Sequence, residues 1–366
     1  MKKILPITQQ VDFESECWNT LRLAILMNDK KYMPWYLEKF NNYFVDENFV
    51  FHFYRWSTTE FYSNYDEVLI HKEILDKRDI IHSIIDAINR NGYVTLYVDR
   101  YYIKGTLEYQ KVHKVHGNLV FGYDTDNETV EIFDNNINGL WWGVSSVPFE
   151  DMKTAFESCI QIISADKGKY NWIYENNLPA SIIFLKDFDR GIRLEAFYTA
   201  IAQNLIGGEI ENLTIKEQNH YAIRRYGVSC YKSFYEDLYE LLKEKKPNFL
   251  NEPENQYILI KLKAMIECKN SLLKKLNYIN ESGVVQIPEE IIQKAQDLCK
   301  IVNKAFLLLS KFSFNLKAKK LDEMRDEYKH AEQVEKELLT SLKNCLEQQY
   351  MYKKLELFSD IKGNEK

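Results

Sequence analysis

Between Pro288 and Cys345, apolar residues recur in alternating steps of four and three, a period that long helices satisfy and strands do not. Ile291, Ala295, Leu298, Val302, Ala305, Leu309, Phe312 and Leu316 make the first seam. A less regular one runs through Leu321, Met324, Tyr328, Ala331, Val334, Leu338, Leu342 and Cys345. Pro288 suits a first helical position, and Glu289 and Glu290 favour the positive end of a helix dipole. The pattern predicts two helices packed as an antiparallel hairpin, with a coiled coil offered to a partner as the other arrangement. Helices are also expected over 194–206 (closed by Gly207-Gly208), 213–225, 229–246 and 254–280, with fraying at Lys362 to Lys366. Strand signals vanish from about Gly191, so residues 191–366 read as an all-helical domain.

Residues 1–190 alternate both signals. A helix is expected over 16–28, capped by Ser15 or Asp12, and a second over 79–91, stopped by Gly92 in the left-handed conformation. Strands are expected at Tyr93 to Val98, Leu119 to Tyr123 and Thr129 to Phe133, with further candidates at Ser158 to Ser164 and Ser181 to Leu185. This half therefore reads as α+β, an antiparallel sheet packed on helices.

Composition narrows the function. Hydrophobic residues at 45% exclude intrinsic disorder, and a formal net charge of −6 argues against a nucleic-acid binder that works through bulk charge. No apolar run is long enough to span a membrane, and Thr8, Gln9, Gln10 and Asp12 interrupt any signal-peptide core. Six dispersed cysteines without a CxxC pair suggest a reduced, cytoplasmic protein.

The chemistry-bearing residues lie in the first half. Cys17 falls in the first turn of its helix, where free N–H groups and the dipole favour a thiolate, although a free cysteine also serves as a small buried hydrophobe. His113 and His116 enter a strand three residues apart, so they point to opposite faces and do not share one site or a metal. Asp134 lies beyond the turn at Asp124 to Glu128. A loop of three or five residues puts it on the His116 face, where its carboxylate can fix the imidazole tautomer; two or four residues put it on the other face. Asn118, Asn135 and Asn136 are alternative partners for that ring. Trp141-Trp142-Gly143 suits either an acyl pocket wall or core packing.

A helix-borne thiol, a strand-borne histidine and an aspartate on the next strand, in that order, are the arrangement of papain-like cysteine enzymes. The succession Cys17, YVTLYVDRYY (Tyr93 to Tyr102), HKVHGNLVFGYD (His113 to Asp124) and VEIFDN (Val130 to Asn135) resembles the N-terminal domain of the butirosin-type acyltransferases. These are bacterial papain-fold proteins of natural-product pathways. The resemblance covers about residues 10–165 and continues more weakly over 190–246, where HYAIRRYGVSCYKSF (His220 to Phe234) is similar to the family's helical C-terminal domain. A related papain-like enzyme of closthioamide assembly forms amides from a carrier-bound chain and a diamine.

The resemblance implies a papain-like fold and an acyl group moved from an acyl or peptidyl carrier-protein thioester, through a cysteine acyl-enzyme, to a small amine. It implies Cys17 as nucleophile, His116 as general base and Asp134 as orienting residue, with no bound cofactor because phosphopantetheine presents the substrate. Papain-like peptidases place an oxyanion glutamine six residues before the cysteine; Val11 stands there, and Gln10, one further back, is the candidate donor. Asn135 replaces the proline that bacteriocin-processing relatives carry after the aspartate, which sets the chain apart from the peptidase branch. Lys317, Lys319 and Lys320, with Arg224, Arg225 and Lys243 to Lys246, are candidates for meeting an acidic carrier, or are solvated helix faces. Hydrolysis by the same triad and a non-catalytic interaction module are the alternative functions.

Overall fold

The computed structural model describes residues 1–52, 64–74, 79–175, 179–209 and 223–351. Two compact units emerge, Met1–Tyr32 with Tyr65–Asp189, and Met33–Asn64 with Arg190–Lys366. The fold is α+β, with antiparallel sheets and a helical C-terminal region. Among the described residues no helix is long and apolar enough to cross a membrane.

In the first unit the strands are β1 (Lys2–Ile4), β2 (Leu69–Glu73), β3 (Tyr93–Asp99), β4 (Val115–Asp124), β5 (Thr129–Ile137), β6 (Leu140–Pro148) and β7 (Ala180–Leu185). They form one seven-stranded sheet in the order β2-β7-β3-β4-β5-β6, with β1 added to β4. Every pairing is antiparallel. The helices are α1 (Cys17–Leu26), α2 (Ile80–Asn89), α3 (Phe149–Ala165) and α4 (Lys167–Glu175).

Two of the glycines are demanded by close approach. A Cβ on Gly122 would meet Ile4 Cδ1 at 2.4 Å, so β1 can lie there only against a bare backbone. At the end of α2 the left-handed residue is Asn91, φ +63°, rather than the expected Gly92. Gly92 is required for space instead, since its Cβ would fall 2.6 Å from Ile182.

The expected strand over Ser158 to Ser164 is part of α3. Isoleucines at 160, 162 and 163 imitate a strand, but Met152, Ala155, Phe156, Cys159 and Ile163 are buried at helical spacing, and that period decides. Strand β6 was not anticipated; its tryptophans and paired serines do not alternate cleanly between apolar and polar.

The second unit contains a small antiparallel sheet of Gly208–Glu209, Ile223–Tyr226, Phe44–Asp46 and Phe51–His52. Pairing of Phe44–Asp46 with Ile223–Tyr226 draws residues 33–64, placed in the first domain on sequence, into this unit. It also corrects the expectation of no strands beyond Gly191. Of the helix expected over 213–225, residues 213–222, including His220, lie outside the described residues, and 223–225 are strand. Lys362 to Lys366 also lie outside them.

Four long helices follow, α5 (Glu195–Ile206), α6 (Gln256–Ser282), α7 (Glu289–Asn315) and α8 (Ala318–Leu346). Residues 227–245 form a helical stretch broken into 3₁₀, α and π segments. The first heptad seam is buried from Ile291 to Phe312, while Leu316 becomes the left-handed cap, φ +53°. The second is buried except for a half-exposed Val334. A Lys304–Glu327 ion pair across α7 and α8 matches a hairpin turning at residues 316–317.

Candidate active site

Cys17 is the first residue of α1 and is exposed. The N-cap is Glu16, without a side-chain cap, rather than Ser15 or Asp12. The chain ahead of the thiol is fixed in other ways. Thr20 Oγ1 donates to the Phe13 and Glu16 carbonyls at 2.6 and 3.0 Å. Trp142 of β6 donates its indole N–H to the Glu14 carbonyl at 2.9 Å and packs its ring on Phe133, so it supports the approach to Cys17 from within the core.

The thiol lies within electrostatic reach of His116, the second residue of β4. His116 Nδ1 lies 3.1 Å from Asp134 Oδ1 on β5, leaving Nε2 as the ring nitrogen available to sulfur. Asp134 is fully buried and accepts the Asn135 N–H at 2.7 Å. Burial on its own would push the imidazole down. The Asp134 hydrogen bond and charge, joined by those of Cys17, outweigh it and raise His116 to about 10. The ring is therefore cationic at neutral pH, and it stands beside the Cys17 sulfur.

The route by which Asp134 reaches that face differs from the simple hairpin. Asp124 pairs with Thr129, so the loop has four residues (125–128), the parity that puts Asp134 on the wrong side. A β-bulge between Val120 and Gly122 absorbs Phe121 and shifts the register, so that Leu119 faces Phe133. Beyond the bulge, residues of equal parity share a face, and His116 meets Asp134.

His113 turns away. Its Nδ1 lies 2.6 Å from Asp99 Oδ2, and its ring stacks on Tyr101 at 4.3 Å. None of the three asparagines orients His116. Asn118 is buried with neither side-chain polar atom hydrogen-bonded, Asn135 Oδ1 accepts from Arg100, and Asn136 meets Arg100 through its carbonyl. Gln10 is exposed in a turn made with Thr8, and its carboxamide bonds neither Cys17 nor His116.

Arg100 was not anticipated from the sequence. It is fully buried; its guanidinium donates to Asn135 Oδ1 and O at 2.7 and 2.6 Å. Its Nε lies 3.2 Å from Glu108 and 4.0 Å from Asp134 Oδ2. The arginine thus pins the strand just past Asp134 and places positive charge behind the carboxylate. One signal was present: Glu108 is the single acid between Asp99 and Asp124, and a lone acid near an arginine invites pairing.

One turn into α1, buried Arg22 lies over the Trp18 ring and donates to His71 Nε2 at 3.2 Å. Burial, aided by the Arg22 charge, lowers His71 to about 3, so its ring is neutral in the folded protein. The unfolded chain takes up this proton near pH 6.5. Stability linked to His71 is therefore present above pH 6.5 and lost as pH falls toward 3. His71→Gln, which keeps an acceptor without titrating, is expected to lose less urea resistance between pH 6 and 4 than the parent; parallel declines would contradict this.

The other five thiols differ from Cys17 in environment. Burial pushes Cys159 up to about 12 and Cys299 to about 11, and raises Cys230, Cys268 and Cys345. No protein-family model matches the chain, and no curated protein matches it either.

Proposed function

We propose that this protein is a papain-like cysteine acyltransferase that forms amides from carrier-bound thioesters. The observation that carries the reading is the exposed Cys17 at a helix start, beside an imidazole whose Nδ1 is held by buried Asp134. A thiol-bearing helix beside an antiparallel sheet, with histidine and aspartate on neighbouring strands, supports the papain-like assignment. The resemblance to butirosin-type acyltransferases, and Asn135 in place of a proline, favour transfer over proteolysis.

In the proposed reaction the Cys17 sulfur attacks the thioester carbonyl. The new C–S bond forms as the carrier's C–S bond breaks, and the departing thiol takes its proton from His116. Backbone N–H groups at the start of α1 are suited to the oxyanion. An amine then attacks the acyl-enzyme and gives up a proton to His116, and Cys17 leaves as thiolate. Asp134 keeps the ring in one orientation throughout.

The test is intact-mass spectrometry with acyl-loaded carrier protein and a panel of diamines and amino sugars. An adduct on Cys17, absent from Cys17→Ser, is expected to disappear with the right amine and yield an amide. Release of free acid at one rate whatever amine is present, or cleavage of peptides, would assign the site to hydrolysis instead.

A further inference from the structure

Residues 100–114, which lead from β3 into His116, form a rigid connection with a basic, apolar outer surface. Its inner side is anchored on Asp99 and Arg100. Asp99 Oδ1 accepts the Tyr101 and Lys114 N–H groups, and its Oδ2 accepts from Ser158 and meets His113. Thr106 Oγ1 donates to the Arg100 and Ile103 carbonyls. Gly105 O accepts the Asn138 N–H at 2.9 Å, just beyond the end of β5. The connection is therefore seated at the same strand ends that carry His116 and Asp134.

Outward it presents Lys104, Leu107, Lys111, Val112 and Lys114. Leu107 is 64% and Val112 54% exposed, a high exposure for aliphatic side chains on a well-anchored loop. Both acids of the region are buried: Glu108 pairs with Arg100 and Lys114, and Asp99 is consumed by the hydrogen bonds above. Lys104 and Lys111 form no ion pair among the described residues. In a chain of net charge −6 this leaves a cationic surface on the connection that leads into His116.

The basic segments singled out in the sequence are poorer candidates. Arg224 and Arg225 are tied to Asp237 and Glu209, and Lys319 and Lys320 to Glu323. These four are paired within the protein.

We infer that the 104–112 surface is the docking site for the acidic carrier domain that delivers the thioester. This rests on the acyl-transfer reading and names where its donor binds. Lysines at the rim give attraction and orientation, and Leu107 and Val112 give the dry contact at the centre. The binding site is preformed, so little ordering cost attends association.

The test measures binding apart from chemistry. A fluorescently labelled, acidic holo-acyl carrier protein is titrated with full-length Cys17→Ala protein, with and without Lys104→Glu/Lys111→Glu. The double reversal is expected to weaken binding at least tenfold and to flatten its salt dependence. Leu107→Ser is expected to weaken it with the salt dependence kept. In protein that retains Cys17, the same substitutions should leave Cys17 alkylation by iodoacetamide unchanged, which shows the site intact. Equal binding by parent and reversal variants, or no binding by the parent, overturns the docking assignment and leaves the acyl-transfer reading to its own mass-spectrometric test. Tighter binding of duplex DNA than of the carrier, lost in the same variants, overturns it as well.

Discussion

Replacing His116 by alanine is expected to slow acylation of Cys17 by about 10²–10⁴-fold, the usual worth of a positioned acid–base group. The same change should slow iodoacetamide labelling at pH 7, because the cationic ring no longer stands beside the sulfur. The parent protein should label at Cys17 well before the other five cysteines, whose thiols burial holds protonated. Peptide mass spectrometry after timed alkylation reads both effects. Asp134→Asn should lower the His116 transition from about 10 toward its ordinary range, visible as a shifted pH profile. Uniform slow labelling of all cysteines, unaffected by either substitution, would exclude a thiol–imidazole pair. Stability follows the same linkage. Folded His116 titrates above the unfolded value of about 6.5, so its contribution is complete below that pH and is lost as pH rises through about 10.

A large stability effect is expected in the second unit, at the buried pair Lys269–Glu335. The ammonium lies 2.7 Å from Glu335 Oε1 and 3.7 Å from the centre of the Tyr43 ring. Tyr43 and Tyr231 donate to the two carboxylate oxygens at 2.7 and 2.6 Å. Burial, with the Glu335 charge adding to it, raises both phenols well above their ordinary range, so they stay neutral donors. Lys269→Met leaves a carboxylate with hydroxyl partners but no counter-charge, at a cost of about 3–5 kcal/mol. Removing both charges, in Lys269→Met/Glu335→Leu, should recover a substantial part of that loss despite the two stranded hydroxyls. Urea denaturation of the parent, the two single variants and the double variant measures it. A single substitution that costs less than about 1 kcal/mol would show that the pair is not buried as described.

The features best read from sequence were those with long, clean periods. The α7 and α8 seams and the strands β3, β5 and β7 follow from spacing alone. The α3 helix was partly misread, since three isoleucines within four residues carry strand propensity that a seventeen-residue amphipathic period overrides. Of the candidate site, Cys17, His116 and Asp134 were visible as residue types in order, and the structure brings them together. Arg100 was not, and the bond from Trp142 to Glu14 was not, because their partners lie 35 and 128 residues away and no local pattern encodes such distances. Gln10 was suggested by resemblance only, and it is its backbone that bonds Thr8 in an exposed turn.

The four-residue turn after β4 and the bulge at Phe121 act as a matched pair of odd offsets that cancel. Altering either by one residue would send Asp134 through the sheet to the side away from His116, with no change in any residue of the constellation itself. Altering both together would restore it. Turn length here is thus a discrete variable, and engineering at residues 125–128 has to proceed in even steps: grafts, tags or permuted termini that add two residues keep the carboxylate in place, whereas a single insertion dismantles the site from a distance.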